Sequence, residues 1–405
     1  MVRIERMVLF VLFAAPSTLS FVQHRSGPLG RRSTRCISCP CRCRALRMKQ
    51  QLEQVRYGVD VPYKEAAYDP LAADAFFRAR PLPALGRLAQ LIVKSSGFIA
   101  AVILDKKLGR EEQMVEQRSQ ELLQLVTSLG PTSIKVGQAL STRTDLLPAA
   151  YAAGLTGLQD AVPPFSGKVG RAMIEQEIGI KIDEVFSELS LEPVASASIG
   201  QVYKGRLRET GELVAVKVQR PGVLANVALD LYMMRRIAPL WKRFQDINTD
   251  LVGLVDVWGN GFVNELDYTK EAAATVAFSA AMRERGLGSV FAPEVVPSLS
   301  STHVLTTKWV DGERLASSNA ADVPRLCGVA LNAYLTMLLD TGTLHCDPHP
   351  GNLLRTPDGV CVCVCVCVCV YCKLIITSLF CSYRSLLYTL FFLGICSVVC
   401  SSIYY

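Results

Sequence analysis

The sequence predicts an α+β protein, and two observations predict it. Residues 68–190 and 230–341 carry apolar residues mainly at helical spacing. Between them, from Leu191, the period shortens to β-rich runs. The order is helices, then a small sheet with inserted helices, then a second, mostly helical part. Half of the 405 residues are hydrophobic, with 28 Gly and 20 Pro, which excludes a disordered, collagen-like or coiled-coil chain.

Each element has its own signal. Residues 68–104 are helical in pattern, with Pro81 and Pro83 as breaks. Residues 111–129 form a helix stopped by Gly130-Pro131. Residues 133–147 restart as a polar helix that closes at Pro148, and 167–189 give two short helices. Residues 193–198, 201–207 and 213–219 read as strands, with the turn Glu209-Thr-Gly-Glu212 before the last. Residues 230–246 and 251–285 read as long helices, 291–299 and 303–310 as strands, and 322–341 as a buried helix. No internal repeat is visible.

Charge and cysteine divide the chain. Residues 1–52 hold ten Lys/Arg against one acid, Glu5. Residues 359–405 hold Lys373 and Arg384 and no acid, so the body between carries a net −4. That body offers no basic surface, so nucleic acid is not an expected partner. Only Cys327 and Cys346 of the 15 cysteines fall in it, which argues against a disulfide framework.

The two ends are unusual. Arg3 and Arg6 precede the apolar run Met7–Ala15, and no acid occurs from Arg6 to Leu52. This is a signal-like run joined to a transit-like run. It resembles the bipartite plastid presequence of algae; mitochondrion is the second destination. Cys36, Cys39, Cys41 and Cys43 have no acid or His among them, which disfavours zinc. Residues 360–370 read VCVCVCVCVCV. Alternation suits a strand. It is also what an alternating G/T tract of noncoding DNA encodes. Residues 360–405 are therefore read as noncoding read-through or an unstructured tail, with a membrane anchor as the other reading, since 21 uncharged residues follow Arg384.

Four constellations carry chemistry. Lys217 sits inside the apolar strand Leu213-Val-Ala-Val-Lys-Val. A lysine there is costly unless paired, or it simply faces solvent; the functional reading is a phosphate-gripping lysine. One hairpin earlier lies a run of small residues, Ala195, Ser196, Ala197, Ser198, Ile199, Gly200, Gln201 and Val202. Such a run lets backbone amides approach phosphate. Glu265, Asp267 and Glu271 lie on a predicted helix after the lysine strand, where an acid can hold Lys217. On a straight helix Glu265 and Glu271 sit on different faces. His345-Cys-Asp347-Pro-His-Pro-Gly-Asn352 has the H-x-D-x-x-x-x-N spacing of a kinase catalytic loop. Asp347 would take or orient the acceptor's proton, and Asn352 would face Mg²⁺. A metal site of His345, Asp347 and His349, or a structural turn, are the rivals.

These motifs resemble the UbiB, or aarF-domain, family of atypical kinase-like proteins, and its plastid and cyanobacterial branch most. The likeness runs from about Tyr68 to Gly359 and includes Lys135-Val-Gly137-Gln138, the family's K-x-G-Q signature. It implies a two-lobed protein kinase-like fold with an N-terminal helical extension. Residues 1–52 would be the presequence, 68–190 the extension, 191–312 the N-lobe and 313–359 the start of an incomplete C-lobe. It further implies that Lys135 pairs with Glu265 and Lys217 with Glu271. The helix of Lys135, Gly137 and Gln138 would lie over the cleft as a regulatory element, with Glu265 and Asp267. Trp309 and Val310 would meet the adenine.

The implied cofactors are ATP or ADP with Mg²⁺. The implied role is phosphoryl transfer or ATP hydrolysis supporting prenyl-lipid or quinone metabolism. The implied partners are proteins of that metabolism and a membrane or lipid-droplet surface. A non-catalytic, nucleotide-responsive scaffold is the alternative. No D-F-G triplet follows Gly359 in the sequence, and its Asp is a principal metal ligand. The chain as written is therefore expected to bind Mg-nucleotide weakly, and the helix at 322–341 to lack packing partners.

Overall fold

The computed structural model describes residues 61–63, 67–141, 147–159, 162–245, 250–341, 344–345, 352–363 and 368–369. The helical region opens with α1 (Pro70–Ala79), whose cap Asp69 accepts hydrogen bonds from the Leu71 and Ala72 amides. α2 (Pro81–Lys107) and α3 (Glu111–Leu129) follow, and Gly130 stops α3 at φ 102°. α4 (Pro131–Ser141) is shorter than the predicted 133–147; residues 142–146 lie outside the described residues. α5 (Ala149–Leu155) completes the group with a short 3₁₀ turn, Thr156–Gln159. Phe98, Leu122, Val126, Ile134, Tyr151 and Leu158 pack together as their common core. Burial of such apolar area, at about 25 cal/mol per Å², is what orders these helices.

α6 (Gly167–Ile178) and α7 (Ile182–Val185) lead into the sheet. The second predicted helix ends early, because Phe186–Leu189 form strand β1. Phe186 and Leu189 are both buried, and their three-residue spacing imitates a helix face. β2 (Ala195–Ser196), β3 (Gly200–Leu207), β4 (Leu213–Gln219) and β6 (Val304–Lys308) complete an antiparallel sheet ordered β1-β3-β4-β6, with β2 on β3. The register pairs Val202 with Lys217 and Lys217 with Leu305. Opposite residues share a face, so the alternation separates two surfaces. Tyr203, Val214, Val216 and Val218 pack with Ile174 of α6 on one. Val202, Ala215 and Lys217 occupy the other.

α8 (Val223–Gln245) starts earlier than the predicted Asp230. The predicted helix over 251–285 is two helices, α9 (Leu251–Asn264) and α10 (Tyr268–Glu284). The break follows from Asp267, whose carboxylate accepts from the Thr269 amide at 3.1 Å and caps α10. The predicted strand over 291–299 reduces to β5 (Val290–Phe291) and a 3₁₀ turn at Pro297–Leu299.

The last region holds α11 (Val323–Thr336) and a wide π turn, Met337–Thr341. Its helix does find partners: Leu326, Ala330, Ala333 and Tyr334 pack with Phe278, Met282, Val290 and Leu353. β7 (Glu313–Arg314), β9 (Leu353–Arg355) and β10 (Cys361–Cys363) form a second sheet with β5, ordered β5-β10-β9-β7. β8 (Leu344–His345) pairs with β11 (Val368–Cys369). Within the Val–Cys repeat, Cys361–Cys363 and Val368–Cys369 are thus strands.

Candidate functional site

Lys217 lies on the face of β4 opposite to α6. Its Nζ donates to both carboxylate oxygens of Glu271, at 2.7 and 2.8 Å. The Glu271 side chain is almost fully buried, and the Lys217 ammonium also sits 4.7 Å from the centre of the Tyr268 ring. Glu271 and Tyr268 stand on the first turns of α10. The ammonium is therefore held on this face of the sheet with its charge compensated.

A second ion pair lies nearby in sequence. Lys135 Nζ of α4 is 2.8 Å from Glu265 Oε2, and both side chains are largely buried. Both pairs that the resemblance implies are thus formed. The straight-helix reading of the two acids needs correction: Glu265 ends α9 and Glu271 belongs to α10. Asp267 between them caps α10 and lies 3.7 Å from Lys270.

Gly137 and Gln138 explain how α4 is seated. A Cβ on Gly137 would meet Leu158 Cδ1 at 2.4 Å and Val126 Cγ1 at 2.9 Å. Gln138 Nε2 donates to the Leu158 carbonyl at 3.0 Å. The close approach needs glycine, and the amide fixes the rotation.

The small-residue run makes the β2–β3 hairpin. The Ala197 amide donates to the Gly200 carbonyl at 2.8 Å and closes the turn. Ala195 and Ala197 are exposed and Ser196 is half-buried, while Ser198 and Ile199 fold inward. A Cβ on Gly200 would meet the Val218 carbonyl oxygen at 2.6 Å and the Tyr268 hydroxyl at 2.5 Å. Gln201 is wholly buried, and its side chain points away from Lys217. Its Oε1 accepts from the Phe165 amide and its Nε2 donates to the Tyr203 hydroxyl. Val202, one residue on, lies on the other face, opposite Lys217.

Trp309 and Val310 are half-buried on the segment joining β6 of one sheet to β7 of the other. The Trp309 amide donates to the Leu213 carbonyl, and its ring stacks under Lys204 at 4.3 Å. Asn352 is half-buried just before β9. Asp347 and the rest of 346–351 lie outside the described residues, so the fourth constellation is represented by His345 in β8 and Asn352 alone.

Lys217, held by Glu271 on the face of the sheet that also carries Val202 and Ala215, is a charge-compensated cation of the kind that meets the phosphates of a nucleotide. Among the described residues no three His, Cys, Asp or Glu gather as a metal site. Of the expected Mg²⁺ ligands only Asn352 is among them.

The ABC1 atypical kinase-like domain matches residues 157–373. The chain belongs to this family. It is 43% identical over 286 residues to an aarF domain-containing protein kinase, chloroplastic, of Arabidopsis thaliana, covering 71% of this chain and 41% of the relative. It is 39% identical over 318 residues to an uncharacterised protein of Synechocystis, covering 77% and 46%. A third relative is Activity of bc1 complex kinase 3, chloroplastic, of Arabidopsis thaliana, at 39% over 287 residues, covering 69% and 40%. The chain thus spans less than half the length of these relatives. It is also 30% identical to a solved Mycobacterium tuberculosis structure, Rv3197 with erythromycin (TM-score 0.45; 65% of this chain, 67% of that one). ABC1-family membership and the mixed helix-and-sheet architecture bear out the expected kinase-like α+β class, in its chloroplast and cyanobacterial branch.

Two residues of this ABC1 domain carry contacts that reading by motif leaves unassigned. Tyr268 lies inside Glu265–Glu271, and Arg220 lies inside the run after Lys217. Both were visible as residues; what they touch depends on chain crossings that spacing does not encode.

Proposed function

We propose that this protein binds ATP or ADP with Mg²⁺ in the cleft beneath β2–β4 and uses it for phosphoryl transfer or ATP hydrolysis. The observation that carries this reading is the two-oxygen grip of Glu271 on Lys217. In kinase folds that pair orients the lysine toward the α- and β-phosphates. The loop 195–200 would cover the phosphates, Val202 and Trp309–Val310 would border the base, and Asp347 and Asn352 would serve the acceptor and the metal. Bound Mg²⁺ would neutralise charge on the phosphates. The test is binding of fluorescent Mg-ADP by the full chain and its Lys217→Met variant. Affinity falling about tenfold or more is expected, the scale of a lost charge-assisted contact. Equal affinity would refute the reading.

The second reading is a nucleotide-responsive scaffold at a lipid surface, in prenyl-lipid or quinone metabolism within a plastid. The observation favouring a lipid surface is α2. Among the described residues it is the one helix long and apolar enough to cross a membrane, and little of it is buried. Leu82, Leu85, Val93, Ile103 and Leu104 are exposed along it, and its one acid, Asp105, is buried against Arg118. An apolar stripe without exposed carboxylate suits an anionic bilayer. The chloroplastic relatives support the compartment.

A further inference from the structure

Arg220 leaves β4 just after the lysine strand and turns back under the small-residue loop. Its amide donates to the Ile199 carbonyl at 2.7 Å. Its Nη2 donates to the carbonyls of Pro163 at 3.0 Å and Ala197 at 3.3 Å, and lies 3.5 Å from Ser196 Oγ. The guanidinium also stands 5.4 Å from the Phe165 ring centre. These contacts join Pro163–Phe165, the turn Ser196–Ile199 and the end of β4 at one side chain.

Among the described residues the Arg220 side chain bonds neutral oxygens and no carboxylate, and its buried Nε finds no acceptor there. Burial lowers its pKa. With neutral oxygens as its partners among the described residues, this half-buried guanidinium keeps its field at the base of the loop. All three contacts leave the one Nη2 nitrogen, which lies one bond farther along the side chain than a lysine Nζ would.

We propose that Arg220 is a positioning residue: it sets the backbone of Ala195–Gly200 so that the loop receives the phosphates of a nucleoside di- or triphosphate. The proposal rests on the nucleotide reading above for its ligand, and on geometry alone for the loop. Arg220 itself acts through the loop amides.

The experiment uses the full chain with Arg220→Lys, Arg220→Ala and Lys217→Met. Hydrogen exchange at the Ala197–Gly200 amides is measured beside Mg-ADP affinity and melting temperature. Both Arg220 variants are expected to lose about tenfold in loop protection and in affinity, the loss of a charge-assisted hydrogen bond. Added guanidinium ion should restore both in Arg220→Ala. Lys217→Met should lose affinity with loop protection kept, which separates the two roles. Unchanged loop protection in Arg220→Lys, or protection lost without loss of affinity, overturns the proposal. An unmodified chain that binds no Mg-ADP refutes the nucleotide reading and with it the assigned ligand, while the exchange data still decide the loop. If Arg220→Ala does not fold, Arg220→Lys carries the comparison.

Discussion

Lys135 of α4 and Glu265 at the end of α9 form a buried ion pair 2.8 Å long, joining the helical extension to the segment that carries the cleft acids. Removing one partner of such a pair leaves a charge in a poorly solvated place, at about 3–5 kcal/mol. Lys135→Met is expected to lower stability by that order. The double change Lys135→Met with Glu265→Leu should recover much of it, because no charge is then stranded. Urea unfolding checks this. A double variant no more stable than the single one would show that the loss arises elsewhere.

The acid limb of stability should depend on Glu177. Burial works against its charge, yet hydrogen bonds from His303 and Ser301 outweigh burial and hold its carboxyl below the ordinary glutamate range. A depressed carboxylate stabilises above its unfolded pKa of about 4.3, and that term is lost as pH falls through the folded value. Glu177→Gln should be less stable than the natural chain at pH 5. The gap should close toward pH 3. A gap of equal size at both would contradict the assignment.

Two glycines should respond in opposite directions to alanine. At Gly200 the added methyl meets the Val218 carbonyl of the lysine strand, so overpacking of about 1–3 kcal/mol is expected. At Gly97 of α2 nothing lies within 4 Å, and helix propensity favours alanine by about 0.5–1 kcal/mol. Melting of the two variants decides; a rise at Gly200 would show that its neighbours yield easily.

The exposed face of α2 gives a prediction for lipid. Leu82→Asp with Val93→Asp changes solvent-facing positions, so folding should be nearly unaffected. Sedimentation with anionic vesicles should fall several-fold. Unchanged sedimentation would remove α2 from the lipid-surface reading.

Much of this was legible in the sequence because the period marks faces. Leu213–Val218 alternates, so Lys217 falls on the face opposite to Val214, Val216 and Val218 whatever the neighbours are. Gly130 and Pro131 likewise end one helix and start the next. The break at Leu266 was not legible: no Gly or Pro interrupts 262–270, and the helix stops because Asp267 captures the next turn's amide. Gln201 was read as part of a phosphate loop, since its neighbours are small. Its true direction depends on the register with Val218, a long-range pairing. Arg220 could be located by spacing, but its acceptors come from 163 and 196–199, brought together only by the hairpin.

The break at Leu266 has a mechanical consequence. The Leu266 carbonyl accepts from Gln219 Nε2 at 2.7 Å, and Gln219 ends the same strand that carries Lys217. The pivot of α10 is thus bolted to the frame that holds the lysine. Glu265 precedes that joint at the end of α9 and Glu271 follows it on α10. The two salt links therefore stand on opposite sides of one anchored joint, Lys135–Glu265 before it and Lys217–Glu271 after it.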